Sequence, residues 1–201
     1  MAGNCEYKEW RKQKRNEIRA QRKALDQQEV LTSSEKVLDS LMSHPFLNAP
    51  RTIASYMSFS GEIDTIAINQ RLKAQSHQIC LPIINPELKG IMDFYSYDDE
   101  KQLVLNNFKI LEPIKDENHY VRPDCLEVIL VPLVGFNDKG DRLGMGGGYY
   151  DRMLKKVSAN CLILGLAYDF QLIPELKGQH WDMPLDEIIT PTKHYIFSKK
   201  Y

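Results

Sequence analysis

The sequence predicts an α/β fold with a mainly parallel sheet that is covered by helices on both faces. Helical and strand patterns alternate along the 201 residues, which is the order typical of such sheets. Residues 126–134 are almost wholly apolar, which indicates a strand buried on both faces. A second run, 162–166, has the same character.

Two helices are predicted before the first strand. Residues 6–27 contain many Arg, Lys, Glu and Gln side chains and few helix breakers. Residues 1–25 hold eight basic and three acidic side chains. Arg11 and Arg15, four apart, share one helix face with Arg22. That face is either a solvated basic surface or an electropositive wall directed at the glycine-rich segment 144–148.

The elements that follow are predicted from apolar periodicity and turn residues. The second helix runs from Ser33 or Ser34 to Ser43, with Ser33 as its N-cap. Glu62 opens a third helix, whose apolar positions are Ile63, Ile66, Ala67 and Leu72. A fourth helix continues from the glycine-rich segment to about Lys156. Strands are predicted at 52–57, 78–84, 91–97, 186–190 and 195–197, with turns at 58–61 and 86–90 and a weak strand or turn at Phe108 to Glu112.

The segment Arg142–Arg152 carries the strongest functional signal in the sequence. Four glycines fall at positions 144, 146, 147 and 148, flanked by Arg142 and Arg152 and followed by two tyrosines and Asp151. Glycine lets a ligand approach backbone N–H groups, and a helix start favours an anion. The segment lacks the Lys-Ser/Thr of a P-loop, and only Asp169 could serve as the acidic partner of a dinucleotide site. The alternative is a flexible surface turn.

Composition excludes several classes of protein. Hydrophobic residues make up 43%, charged residues 26%, and the net charge is −1. A dedicated nucleic-acid binder would be strongly basic, and no apolar run is long enough to span a bilayer. The polar N-terminus argues against a secretory signal, and the four cysteines lack zinc spacing, so reduced thiols and a cytoplasmic location are expected. No interface helix stands out, so we expect a monomer with no nucleic-acid or membrane partner.

The chain resembles the 5-formyltetrahydrofolate cyclo-ligase family, also called 5,10-methenyltetrahydrofolate synthetases, nearly from end to end. The resemblance is carried by the order and spacing of short motifs, each weak alone. These are Arg11, Arg15 and 22–25, then 56–65, 81–82, 92–94, 131–137, 142–152, 181–186 and 188–190.

The resemblance implies one Rossmann-like three-layer domain over 1–201 with a basic N-terminal helix. It also implies an ATP- and Mg²⁺-dependent ligase of one-carbon folate metabolism. The substrate would be 5-formyltetrahydrofolate, with or without a polyglutamate tail, and the products 5,10-methenyltetrahydrofolate, ADP and phosphate. Phosphorylation of the formyl oxygen would activate its carbon for attack by N10. Positioning and charge neutralisation are then the main tasks of the protein.

The resemblance also implies the roles of individual residues. The ATP phosphates would be bound by Arg11, Arg15, Arg142, Leu143, Gly144, Met145, Gly146, Gly147, Gly148, Tyr149 and Tyr150. The folate would contact Met57, Glu62, Met145, Gly146, Gly147, Gly148 and Tyr149. Asp151 and Asp182 would hold Mg²⁺, partly through water. Arg142, Arg152 and the N-terminal arginines must supply more of the phosphate charge, because some members carry Arg and Lys where this chain has Met145 and Gly147.

Several of these residues also have structural interpretations. Glu62 could be a helix-start carboxylate, and Asp182 could cap a turn before Pro184. Met57, Met92 and Phe94 could be core residues, an interpretation favoured for Phe94. Tyr149 and Tyr150 differ by about 100° on a helix, so one is expected to face the site and the other to pack.

Two other functions stay open at this point. A sugar-phosphate isomerase or acyl-transferring enzyme of similar fold would need a base or nucleophile in the pocket. The five histidines are scattered and none is arranged convincingly with a Ser or Cys nucleophile, so no residue is assigned as acid or base. A non-catalytic nucleotide- or RNA-binding protein would use the basic N-terminal helix, but the sequence lacks interleaved aromatic and basic residues.

Overall fold

The computed structural model describes residues 2–85, 87–88, 90–107 and 109–201. Four α-helices lie in these ranges: α1 (Ala2–Ala24), α2 (Gln27–Met42), α3 (Thr65–Ala74) and α4 (Tyr149–Met153). Within the described part of the chain, no helix is both long enough and apolar enough to cross a membrane.

The predicted mainly parallel sheet is confirmed. The strands are β1 (Thr52–Ala54), β2 (Gln78–Ile84), β3 (Met92–Ser96), β4 (Leu103–Leu105), β5 (Leu111–Pro113), β6 (Tyr120–Val121), β7 (Val128–Val131), β8 (Gly135–Phe136), β9 (Arg142–Leu143), β10 (Leu162–Leu166), β11 (Glu187–Ile189) and β12 (His194–Ile196). Eight of them form one sheet in the order β12-β11-β10-β7-β1-β2-β3-β6. The five strands from β11 to β2 are parallel, whereas β12, β3 and β6 each pair antiparallel with a neighbour.

Strand β7 shows why both faces of the sheet are covered. All four of its residues are buried, and alternate side chains enter different cores. Val128 and Leu130 pack in the core that includes residues of α2 and α3. Ile129 and Val131 pack with Met153 of α4 in the second core. The apolar run 126–134 is therefore explained by a strand that is covered by a helix layer on each side.

Helix α2 begins earlier than predicted, at Gln27 and not at Ser33. Asp26 is its N-cap: the Glu29 amide donates to Asp26 Oδ1 at 2.7 Å, and the Asp26 amide donates to Glu29 Oε2 at 2.8 Å. This reciprocal capping box satisfies two amides that would otherwise lack partners, so the helix starts there. Helix α1 correspondingly ends at Ala24.

Glu62 does not open a helix, so that prediction was wrong. Helix α3 starts at Thr65, because Asp64 accepts a hydrogen bond from the Ile66 amide at 2.8 Å and caps it. The buried helical positions are Thr65, Ile68, Asn69 and Leu72, whereas Ile66 and Ala67 are exposed. Of the four predicted apolar positions, Ile63 and Leu72 are therefore buried, although Ile63 precedes the helix, and Ile66 and Ala67 are not.

The remaining differences concern element ends. Strands β1, β3, β7 and β11 are shorter than predicted, β12 is shifted by one residue, and α4 ends at Met153 before reaching Lys156. A small hairpin of β4 and β5 occupies part of the stretch that sequence patterns left irregular. Phe108 and Pro86, at which a weak strand and a turn were predicted to begin, lie outside the described residues.

Candidate functional site

A cavity of about 960 Å³ opens at the carboxyl ends of the parallel strands. Residues at or just after the ends of β1, β2 and β7 line it, among them Tyr56, Ile84 and Pro132. This is the edge at which ligands bind in open parallel sheets. All fifteen residues predicted for the site, except Leu143, line this cavity. Leu143 is fully buried in β9, so only its backbone could take part.

The glycine-rich segment forms one wall of the cavity, between β9 and α4. Gly148 has φ 68°, a left-handed conformation that turns the chain into α4. Gly144 faces open space, since a Cβ placed on it would meet no atom within 4 Å. Because α4 has only five residues, its dipole adds little, and the bare backbone is the feature that admits a ligand.

The basic face of α1 is turned inward and is not a solvated surface. Arg11 is 8% exposed and Arg22 is 1% exposed. Arg15 Nε donates to Gly144 O at 2.8 Å, and its guanidinium lies beside Gly146. Burial lowers the pKa of Arg15, and the neighbouring charge of Arg11 lowers it further. An anion bound beside Arg15 would therefore stabilise its charged form.

Both predicted metal ligands are paired with arginines. Asp182 accepts from Arg11 Nη1 at 2.7 Å and from Nη2 at 3.3 Å. Asp151 Oδ1 accepts from Arg142 Nη2 at 2.6 Å and from the Met183 amide at 3.2 Å. This amide follows Asp182 directly, so the two carboxylates are held close together. Within the described ranges no hydrogen bond reaches Asp151 Oδ2, which leaves that oxygen free for a cation.

Arg142 and Arg152 are more constrained than the sequence suggested. Arg142 is 3% exposed and also donates to Met183 O at 2.7 Å. Burial lowers its pKa, and Asp151 opposes that effect. Arg152 donates to Gly90 O at 2.8 Å and to Gly147 O at 2.6 Å. The two arginines thus hold the glycine-rich segment in place and have few donors left for a ligand.

The opposite side of the cavity is largely apolar and contains one buried carboxylate. Met57 lines it together with Pro82, Ile84 and Met92. Glu62 also lines it and is 7% exposed. Burial raises the pKa of Glu62 to about 6, although Arg22 and the Phe59 amide act in the opposite direction. An apolar wall with one oriented carboxylate suits a flat heterocycle that carries N–H donors.

The alternatives for the aromatic and Met residues are resolved in part. Phe94 is 1% exposed and belongs to the core, as favoured. Met92 is buried and also lines the cavity. Tyr149 and Tyr150 both line the cavity and both pack on the second core, so the expected division of roles between them was wrong. In a helix of one turn and a half, both rings can lie over the same opening.

The sequence analysis assigned no site role to Lys8 or Trp181, although both line the cavity. It placed Arg22 on the basic helix face but did not predict its contact with Glu62. The helical spacing of Lys8 and Arg11, three apart on one face, was a signal that could have identified Lys8. Trp181 opens the motif 181–186, but nothing in the sequence indicated that its ring would lie at the cavity, because its exposure there follows from the placement of the loop before β11.

A second cluster of polar residues lies outside the cavity. Glu187 Oε2 accepts from His44 Nε2 at 2.8 Å and from His194 Nε2 at 2.6 Å, and the three groups could geometrically surround a metal ion. The Phe46 amide, however, donates to His44 Nδ1. Nε2 of His44 therefore carries the proton and has no lone pair for a metal. This cluster joins β11 and β12 to the segment after α2.

Comparisons with known proteins agree with this geometry. The sequence model described as "5-formyltetrahydrofolate cyclo-ligase family" matches residues 7–191. The chain is 34% identical over 177 residues to a 5-formyltetrahydrofolate cyclo-ligase of Escherichia coli, covering 88% of this chain and 97% of the relative. It is 36% identical over 180 residues to the Haemophilus influenzae enzyme of that name, covering 89% and 96%.

A solved structure extends the similarity to the fold. The Aquifex aeolicus 5,10-methenyltetrahydrofolate synthetase superposes with a TM-score of 0.82 at 30% identity, covering 94% of this chain and 93% of that one. The same motifs that line the cavity lie within the matched range. The chain therefore belongs to the 5-formyltetrahydrofolate cyclo-ligase family of enzymes.

Proposed function

We propose that the protein converts 5-formyltetrahydrofolate and ATP to 5,10-methenyltetrahydrofolate, ADP and phosphate, in the presence of Mg²⁺. One observation carries the proposal: a single cavity joins a basic, glycine-lined end to an apolar end with a buried carboxylate. The first end suits a polyphosphate and the second a pteridine ring. The reaction needs both ligands in contact.

The chemistry requires activation of a formamide oxygen, which is a poor leaving group. The formyl oxygen attacks the γ-phosphorus, ADP departs, and an iminium phosphate results. N10 then attacks the activated carbon and loses its proton, and phosphate leaves with the formyl oxygen. Arg15 and the backbone of 144–148 hold the phosphates in line with that oxygen. No residue needs to act as a strong base.

Mg²⁺ would supply charge neutralisation at the transferred phosphoryl group. Asp151 fits this role, because its Oδ2 has no partner in the described part of the chain and its side chain is 22% exposed. Asp182 would join it once a phosphate draws Arg11 away from its carboxylate. Oxygen ligands from two carboxylates, completed by phosphate and water, match the preference of this ion.

The direct test measures product formation. Purified protein with MgATP and 5-formyltetrahydrofolate should show rising near-ultraviolet absorbance of the methenyl product. Omission of ATP or addition of a chelator should abolish the rise. Folded protein without any rise would refute the proposal. Salt-dependent RNA binding without ATP turnover would instead favour a non-catalytic binding protein.

Substitution of Gly144 tests whether a phosphate approaches the backbone of the glycine-rich segment. A Cβ at this position meets no protein atom within 4 Å, so Gly144→Ala should keep or slightly raise the free energy of unfolding. The methyl group would occupy space claimed by the nucleotide. We expect the Kd of a non-hydrolysable ATP analogue, measured by calorimetry, to rise about tenfold. Unchanged nucleotide affinity would contradict this placement.

Lys8 is proposed to neutralise the terminal phosphate, for which Met145 and Gly147 offer no charge. Of the cationic side chains that line the cavity, Lys8 alone has no hydrogen bond or ion pair within the described residues. We expect Lys8→Gln to raise the KM for ATP about tenfold, the value of one charged hydrogen bond, with the KM for folate unchanged.

Lys23→Gln is the matched control for Lys8→Gln. Lys23 lies on the same helix, is exposed, and does not line the cavity, so it should leave both KM values unchanged. A selective rise in the folate KM for Lys8→Gln would instead assign Lys8 to the glutamate carboxylates of the folate.

Three further features of the proposal stay predictions. Reaction in the cytoplasm is supported by four free cysteines, two of them exposed, which suit a reducing compartment. A monomer and a single domain over 1–201 are also expected. Sedimentation analysis and limited proteolysis would test these two.

A further inference from the structure

Arg22 is the largest side chain that is fully buried in the described part of the chain, and the proposed reaction gives it no direct role. It is 1% exposed and lies on α1, on the helix face that carries Arg11 and Arg15. Unlike those two residues, it does not line the cavity. A guanidinium in such a position has lost its hydration and must have a compensating partner.

That partner is Glu62. Arg22 Nη1 donates to Glu62 Oε1 at 3.4 Å, and the side chains of the pair are 1% and 5% exposed. Arg22 Nε and Nη2 are buried with no hydrogen-bond partner among the described residues. A buried ion pair with unsatisfied donors contributes little net stability, so stability alone does not explain it.

Glu62 is held in one orientation by contacts from three elements. Its Oε2 accepts from the Phe59 amide at 3.2 Å, and its backbone carbonyl accepts from the Tyr168 hydroxyl at 3.3 Å. Two further phenols, Tyr56 and Tyr150, lie close enough for the Glu62 charge to raise their pKa values.

These phenols do not compete with Arg22 as charged groups. Burial raises the pKa of Tyr168 to about 12 and also raises the pKa values of Tyr56 and Tyr150, so all three stay neutral near pH 7. Arg22 is therefore the one cation acting on Glu62 within the described ranges.

We propose that Arg22 is a positioning residue for folate binding, which keeps the Glu62 carboxylate ionised and aimed into the cavity. The inference rests on the proposed function, because the pteridine of a reduced folate presents amino and ring N–H donors. An ionised carboxylate accepts from two such donors at once, whereas a protonated one has lost part of that capacity.

The consequence is a specific pH dependence of folate affinity. Burial raises the pKa of Glu62 to about 6, while Arg22 lowers it. The raised pKa means that the carboxylate, and with it folate affinity, is lost as pH falls through about 6. Removal of Arg22 leaves the effect of burial opposed only by the Phe59 amide, so the loss should then begin at a higher pH.

The experiment compares Arg22→Met, Arg22→Lys and Glu62→Gln with the unmodified protein. The Kd for 5-formyltetrahydrofolate without ATP is measured by calorimetry between pH 5.5 and 9. Arg22→Met should raise the folate Kd tenfold or more at pH 7, and part of the lost affinity should return at pH 9. The folate Kd of Arg22→Lys should lie between those of Arg22→Met and the unmodified protein. Glu62→Gln should bind weakly at every pH. Nucleotide affinity should not change in any variant.

Matched variants separate this role from a loss of folding. Lys23→Met removes an exposed cation from the adjacent position and should leave the pH profile unchanged. If Arg22→Met does not fold, Arg22→Met combined with Glu62→Gln removes both charges, and Arg22→Lys still reports the pH profile. If Arg22→Lys and Arg22→Met both show the same pH dependence of folate affinity as the unmodified protein, the proposal is overturned. Unmodified protein that binds no folate at any pH would instead refute the proposed function.

Discussion

Asp151→Asn is expected to lower MgATP-dependent turnover at least a hundredfold while the protein stays folded. The Asn side-chain oxygen can take the place of Asp151 Oδ1 and accept the same hydrogen bonds from Arg142 and the Met183 amide. It replaces Oδ2, the oxygen left for a cation, with an amide nitrogen that cannot bind Mg²⁺. Loss of one preorganised charge at a phosphoryl-transfer site has effects of this size.

Asp151→Ala should have a different effect, because it also removes the partner of a buried cation. Arg142 is 3% exposed, and its ion pair with Asp151 spans 2.6 Å. Breaking a buried pair on one side costs about 3 kcal/mol or more. Urea unfolding should therefore separate the two variants: a small loss of stability for Asn and a large one for Ala.

Asp138→Asn provides the control for Asp151→Asn. Asp138 carries the same charge, is exposed, and lies in the turn between β8 and β9, outside the cavity. Its replacement should change neither turnover nor the Mg²⁺ concentration for half-maximal activity. Native turnover and native Mg²⁺ dependence in Asp151→Asn would remove Asp151 from the metal site.

The sequence was informative wherever a single strand or a single loop carried the signal. Strand β2 spans the predicted residues 78–84, because its apolar run is bounded by His77 and by the turn after Ile84. The buried character of β7 and the glycine-rich loop were read from local composition in the same way. Such features depend on neighbours along the chain, which the sequence displays directly.

Helix starts were less predictable, because several capping residues compete. Both Asp26 and Ser33 are good N-caps, and only the reciprocal bond with Glu29 decides between them. At α3, Glu62 resembled a helix-start carboxylate, but Asp64 makes the capping bond. The choice follows from the turn at Gly61, which directs Glu62 toward α1.

The pairing of charges in the cavity could not be predicted from the sequence. Arg11 and Asp182 are 171 residues apart, and Arg22 and Glu62 are 40 apart. Each arginine could have met any carboxylate, since spacing on α1 fixes only the face on which they lie. The tertiary fold places Arg15 against Gly144 and Arg11 against Asp182, and it places Arg22 against Glu62.

Helix α1 therefore links the two ends of the cavity through one rigid element. Arg15 contacts Gly144, and Arg22, two turns later, contacts Glu62. The carboxyl end of α1 packs against the turn at Gly61, and this contact fixes the position of the helix. Gly61 has φ 73°, and a Cβ placed on it would stand 2.7 Å from the Arg22 carbonyl oxygen.

Gly61→Ala should consequently lower the free energy of unfolding by about 2–4 kcal/mol. A left-handed conformation costs a non-glycine residue about 1–2 kcal/mol. Relief of the clash, which requires movement of a helix backbone, adds about 1–2 kcal/mol more. Chemical denaturation monitored by circular dichroism measures the total. Gly146→Ala, with φ 102° and no atom nearer than 3.8 Å, reports the cost of strain without the clash.

The same substitution should also weaken folate binding, because movement of α1 carries Arg22 away from Glu62. The ion pair is already long at 3.4 Å, so a shift of a few tenths of an ångström would break it as a hydrogen bond. The folate pH profile of Gly61→Ala should then move toward that of Arg22→Met. A destabilised variant with an unchanged pH profile would show that the turn supports the fold but does not set the position of Arg22.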